Sequence, residues 1–272
     1  MFGWDFPPHI SGGLGTACHG LTRGLAEAGH VEVLFVVPHA WGDEEFPGLQ
    51  LVGANQVPVG RKWVEEEVPE TTTRWIHVDA PLLPYQTPGE FWQLKSHHYV
   101  KGTRFVEIRE DGTIPFSGDY GPSLFREIRN YALVAGQIAQ DYSFDIIHAH
   151  DWMAYTAGIE ASRRSGKPLV IHVHATEFDR SGGNINTMIY NMEREGMEAA
   201  GKIIAVSNYT RHTIIEKYGI PPEKVVTIYN AAEPLTEEEK REIKKGISEK
   251  IVTFMGRITY QKGPEYFIEA AS

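Results

Sequence analysis

The sequence predicts an α/β fold built on a parallel sheet, and three observations carry that prediction. From about residue 144 to residue 229, short β-branched runs alternate with stretches of helical spacing, and such alternation gives right-handed βαβ units and a parallel sheet. Close to the N-terminus, Ser11-Gly12-Gly13-Leu14-Gly15 forms a glycine-rich turn that opens directly into a helix pattern. The chain has 272 residues, 42% of them hydrophobic, enough to bury a full core and to fill one large domain or one domain with part of a second.

The elements follow in order. Thr16 to Gly29 carries apolar residues at Ala17, Leu21, Leu25 and Ala28, a helical spacing with Gly29 as its stop. Val31 to Val37 is a β-branched run ended by Pro38 and reads as a buried strand. Residues 40 to 120 read as irregular, with strand-like pieces such as Thr73–Val78, and 121 to 140 return to helical spacing. Strands are then expected at Phe144–His148, Leu169–His174, Lys202–Val206 and Val225–Tyr229. Helices are expected at Met153–Arg164, Ile185–Ala200 and from a Ser207 cap to Tyr218. The charged stretch from Glu233 to Lys250 reads as a solvated helix. A new strand at Ile251–Met255 and a new helix at Pro264–Ala271 complete the chain.

Bulk properties narrow the function. The net charge of −10 argues against wholesale nucleic-acid binding, which favours basic stripes. The single cysteine, Cys18, leaves no internal disulfide and suits a reducing compartment. No apolar run approaches the roughly 18 residues of a membrane span, and a signal-peptide pattern is lacking. A cytoplasmic protein is expected.

In a parallel α/β sheet the ligand crevice lies at the C-terminal ends of the strands, and four motifs fall there. The glycine turn lets backbone N–H groups approach a ligand beside a helix N-terminus, which favours anions. It is neither a P-loop nor a clean G-x-G-x-x-G, and a tight turn that only docks the helix explains it equally well. His148-Ala149-His150-Asp151-Trp152 follows a strand. A histidine there can donate to a hydroxyl, orient a ligand or shuttle a proton, and the adjacent Asp151 and Trp152 favour such a role for His150. His148 is assigned to the core side and His150 to the crevice side, so the pair is not expected to share a metal. His172-Val173-His174-Ala175-Thr176-Glu177 ends the next strand and lacks zinc spacings such as H-E-x-x-H, so no metal is expected. Finally, Arg257 and Lys262 lie five apart at a strand-to-helix turn between Gly256 and Gly263, a fork and a point charge suited to a diphosphate.

Together, SGGLG before a helix, HAHDW after a strand, HATEF after the next and GR-x4-KG further on resemble the retaining glycosyltransferases of the GT-B fold. The likeness is closest to glycogen or starch synthase-like members and their family 4 relatives. The resemblance implies two Rossmann-like domains facing across a cleft: 1–232 on the acceptor side with its first strand clipped, a linker over 233–250, and the truncated start of a nucleotide-sugar domain over 251–272. It implies that Gly12, Gly13, Leu14, Gly15, Arg257 and Lys262 bind the donor diphosphate. By the same likeness His150, Asp151 and His174 act in catalysis, and Trp152 and Glu177 line the sugar and acceptor cleft. The implied partners are ADP- or UDP-glucose and a glucan or other glycan acceptor. No cofactor is implied, because the cations serve the leaving diphosphate without a metal.

The same resemblance leads us to expect a glutamate-bearing donor loop beyond the clamp, which these 272 residues do not include, so little transfer is expected from this chain by itself. The leading expectation is glucose transfer to an α-1,4-glucan. The alternatives are family 4 transfer to a lipid, cell-surface glycan or small acceptor, and a carbohydrate-binding module without turnover. A nicotinamide-dependent reductase is disfavoured, because no acidic residue closes the strand that ends Val37-Pro38.

Overall fold

The computed structural model describes residues 1–10, 12–44, 48–59, 106–232, 236–242, 246 and 248–272. Helix α1 (Gly13–Glu27) turns Gly15, Cys18 and Thr22 inward at helical spacing. Its end at Ala28 is followed by Gly29 in the left-handed region (φ 74°), as the stop residue requires. Strand β1 (Val33–Val37) pairs in parallel with β2 (Leu49–Gly53), in register from Val33↔Leu49 to Val37↔Gly53. Strand β2 lies in the stretch expected to be irregular. The predicted strand Thr73–Val78 lies outside the described residues.

The regular half then follows: α2 (Leu124–Asp141), β3 (Ile147–His150), α3 (Trp152–Ser165), β4 (Leu169–Val173), α4 (Glu177–Ser181), α5 (Thr187–Ala199), β5 (Lys202–Ala205), α6 (Asn208–Tyr218) and β6 (Val225–Thr227). Ser207 caps α6 by accepting from the Thr210 amide. Strands β3, β4, β5 and β6 lie side by side in that order, all parallel. The α/β fold with a parallel sheet is therefore the observed one.

Phe2 joins the two ladders. It bridges Val36 on β1 and Ala149 on β3, donating its amide to the His148 carbonyl (2.8 Å) and accepting the His150 amide (2.9 Å). Met1–Gly3 thus runs between β1 and β3, and the chain winds outward from that line in both directions. This is the doubly wound order, in which the crevice forms at the central switch point. Tyr131 on α2 pins the centre, its hydroxyl lying 2.7 Å from the Val36 carbonyl and 3.0 Å from that of Gly3. The main core packs α2, α3 and α5 against the sheet through Ile128, Val134, Met153, Ala157, Ile171 and Ile189.

The C-terminal stretch departs from expectation in two places. Ile251–Met255 forms no ladder, and Ile251, Val252 and Met255 are exposed, because a β-branched run becomes a strand only where a neighbour completes its hydrogen bonds. Of the charged segment, only α7 (Glu237–Glu242) is helical among the described residues. Helix α8 (Pro264–Ala271) starts with proline in its first turn, where a missing N–H costs nothing.

Candidate functional site

Three loops converge at the C-terminal edge of the sheet: the one leading into α1, the one between β3 and α3, and the one after β4. At the first, Gly12 is the N-cap and offers no side chain to the leading N–H groups of α1, which carry the positive end of the helix. The glycines differ in what they need. A Cβ on Gly12 or Gly13 would meet nothing within 4 Å, whereas one on Gly15 would lie 2.4 Å from Ile10 Cγ2 and 2.8 Å from Asp5 Oδ1. Packing therefore requires glycine at position 15 and does not require it at positions 12 and 13. Leu14 is half-buried and packs against both core clusters.

His150 ends β3 fully enclosed, while His148 is only half-buried. The expected split, with His148 toward the core and His150 toward the crevice, does not hold, because both imidazoles lie on one face of β3. Residues two apart on a strand share a face, and the His148 and His150 rings lie side by side with centroids 4.2 Å apart and planes tilted by 34°. His172 is the register partner of His150 on β4 and His174 lies just beyond, so four imidazoles tile one side of the sheet edge. His150 Nδ1 and His174 Nε2 are 3.2 Å apart. Burial holds all four imidazoles neutral: His148 and His172 are pushed down to about 3, His174 to about 4, and His150 well below its usual value.

Asp151 sits at the N-cap of α3 with φ 62° and ψ 163° and accepts from the Trp152 amide at 2.9 Å. Positive φ outside glycine is a strained backbone state, costing about 1–3 kcal/mol, that collects at functional sites. The carboxylate is buried and its pKa raised by desolvation, opposed by Arg180 at 3.8 Å. Arg180 joins it to Glu177 (3.5 Å) and to Glu193, which also accepts from the Tyr218 hydroxyl. Glu193 further accepts from the Glu177 amide. One buried guanidinium thus faces three buried carboxylates, and burial raises Glu193 to about 7. Glu177 is drawn into this network and accepts from the Asn186 amide at 2.9 Å. Trp152 is fully enclosed, its ring beside Phe125.

Outside the network a cleft of about 570 Å³ opens, lined by His174, Phe178, Asp179, Gly182, Tyr209, Tyr260 and Lys262 among others. Its far wall is the turn Tyr260–Lys262 before α8. Tyr260 rests on Gly182, where a Cβ would come within 2.6 Å of the ring and where φ is 59°. Only glycine meets both demands.

Of the residues predicted from the sequence, the structure brings His174 and Lys262 into one cleft and places His150 behind His174. Asp151 and Glu177 stand in the charged network and Trp152 in the core. The glycine turn and Arg257 are not among the cleft-lining residues. Sequence reasoning gave no role to Arg180, Glu193, Tyr209 or Tyr260. Glu193 did leave a signal: it lies on the buried stripe Ile189, Met192, Gly196, Met197 of α5, where an unpaired carboxylate would be costly.

Comparison with known proteins adds the following. The family model described as Glycosyltransferase Family 4 matches residues 90–234, just over half of the chain. An uncharacterized glycosyltransferase of Methanocaldococcus jannaschii is 26% identical over 99% of this chain and 58% of its own length. An alpha-maltose-1-phosphate synthase of Mycolicibacterium smegmatis is 32% identical over 46% of this chain and 36% of its own. A glycogen synthase of Mycobacterium tuberculosis is 23% identical over 97% and 55%. Partial matches to relatives named for other acceptors, including D-inositol 3-phosphate and a diphosphoundecaprenol-linked sugar, show that the similarity is not confined to glucan enzymes. The chain spans about half the length of the curated relatives it matches. Among the described residues no helix is long and apolar enough to cross a membrane.

Proposed function

Since the chain belongs to glycosyltransferase family 4, we propose that it carries the acceptor-side part of a retaining glycosyltransferase that moves glucose from ADP- or UDP-glucose to an α-1,4-glucan, in a cytoplasmic setting. The observation that carries the reading is that His174 and Lys262 both line one cleft at the sheet edge where α/β proteins bind ligands. In this reading His174, held neutral, contacts the transferred sugar, and the enclosed His150 orients it. Lys262 and Arg257 balance the charge that builds on the leaving diphosphate, so transfer needs no added metal. The leading amides of α1 face the donor phosphates. Tyr209 and Tyr260 offer flat apolar faces for a sugar ring. The protein's contribution is positioning and charge stabilisation, with the GT-B cleft completing the donor side. The glucan acceptor is favoured because a glycogen synthase aligns over nearly the whole chain.

The test is glucose incorporation by protein expressed from the natural gene, with ADP- and UDP-glucose offered against glycogen, inositol phosphate and a lipid-linked acceptor. Incorporation into glycogen supports the reading. Incorporation only into another acceptor moves the protein elsewhere in family 4.

A further inference from the structure

We infer that His148, His150 and His172 form a binding site for a borderline-soft divalent cation such as Zn2+, at the edge of β3 and β4. Their ligating atoms lie within 4.8 Å of one another, and their rings pack with centroids 4.2, 5.3 and 5.0 Å apart. Nε2 of His148, Nε2 of His150 and both ring nitrogens of His172 are buried without a hydrogen-bond partner, although His150 and His172 are almost fully enclosed. Buried imidazole nitrogens are ordinarily satisfied, because each one left unpaired forfeits its hydration. Three imidazoles with such nitrogens in one place match the donor set of a three-histidine zinc site, in which ligands at about 2.0–2.1 Å stand roughly 3.3 Å apart and a fourth position stays open. The strands fix the arrangement: His150 and His172 are register partners, and His148 shares their face.

Two neighbouring groups compete for the same ion. Cys18, His150 and His174 also bring ligating atoms within 4.8 Å. That set would require the enclosed thiol to release its proton to solvent as the metal–sulfur bond forms, and burial holds that proton firmly. It would also break the contact between His150 Nδ1 and His174 Nε2, whereas the Nε2 atoms of His148, His150 and His172 have no partner to give up. His9, Asp43 and Glu44 form a third group on the surface, where such clusters are common without an ion. The inference does not rest on the glycosyltransferase reading, and the test does not use activity.

The 272-residue chain would be stripped with chelator, dialysed against Zn2+ and assayed for bound metal, with His9→Ala as a control for the surface group. Retention of one ion per chain is expected in both. His172→Leu, checked for folding by circular dichroism, is expected to lower affinity by at least ~100-fold, the upper end of what losing a group that only hydrogen-bonds to a ligand costs. His148→Gln, at a half-buried position, decides the matter if His172→Leu does not fold. Co2+ in place of Zn2+ is expected to give ligand-field absorption without a sulfur-to-metal band. Three outcomes would overturn the site: no metal retained, equal retention by both histidine variants, or a sulfur-to-cobalt band abolished by Cys18→Ser.

Discussion

His150 Nδ1 lies 3.2 Å from His174 Nε2, and of the two only His174 lines the cleft. The enclosed ring therefore sets the tautomer and tilt of the cleft-lining one. His174→Ala is expected to lower kcat by about 10²–10⁴-fold, the usual loss for a positioned polar group in transfer chemistry. His150→Gln, which keeps a hydrogen-bonding group behind His174, is expected to lose less and to leave KM for the donor nearly unchanged. Steady-state kinetics of the two variants check this ordering, and a larger loss for His150→Gln would reverse the assigned roles.

The glycine turn separates packing from ligand contact. Gly15→Ala would drive a methyl group into Ile10 and Asp5 and is expected to destabilise the fold by about 1–3 kcal/mol, the range for overpacking. Gly13→Ala meets open space and replaces glycine in the first turn of α1, so stability is expected to hold or rise slightly. The same variant is expected to raise KM for the nucleotide sugar. Urea unfolding and donor titration of both proteins separate the two effects.

Asp151 is held at φ 62° and ψ 163°, a region that glycine occupies without strain. Asp151→Gly loses the capping carboxylate but relieves the backbone, whereas Asp151→Ala loses the cap and keeps the strain. The glycine variant is expected to be more stable than the alanine variant by about 1–3 kcal/mol. Equal unfolding midpoints would show that the backbone at 151 relaxes freely.

The buried histidines and Glu193 set opposing pH dependences. A histidine with a depressed folded pKa contributes stability that is present above its unfolded value of about 6.5 and is lost as pH falls. His148 and His172 at about 3, His174 at about 4, and His150 all act in this sense. Glu193, raised to about 7, acts the other way: its contribution is complete below about pH 4.5 and is lost as pH rises through 7. Four histidines outweigh one glutamate between pH 4.5 and 6.5, so metal-free protein is expected to lose stability steeply on acidification, by about 1.4 kcal/mol per pH unit for each net proton. Above pH 6.5 only Glu193 still titrates among these groups, and a shallow decline is expected there that Glu193→Gln abolishes. Urea midpoints from pH 5 to 8 in chelator check both slopes. A flat profile below pH 6.5 would mean that the imidazoles are solvated.

The parallel fold was legible because β4, β5 and their helices are written locally, in β-branched runs and helical spacing. Strand β2 was not, since five residues of Leu-Gln-Leu-Val-Gly become a strand only by pairing with β1. The opposite failure at Ile251–Met255 has the same root. His174 and Lys262 were legible as candidates from their place at the end of a run or turn. Their shared cleft was not, because it depends on Tyr260 seating on Gly182, some 80 positions away in the chain. The four-histidine cluster could have been read from the period of two along β3 and β4, had His148 and His150 been assigned to one face.

The most direct measurement of the central claim is nucleoside diphosphate release by protein from the natural gene, with ADP- and UDP-glucose, with and without glycogen, for wild type and His174→Ala. The account predicts release from at least one of these donors that requires glycogen and falls by about 10²-fold or more in the variant. Release that is indifferent to glycogen, or undiminished in His174→Ala, would contradict it.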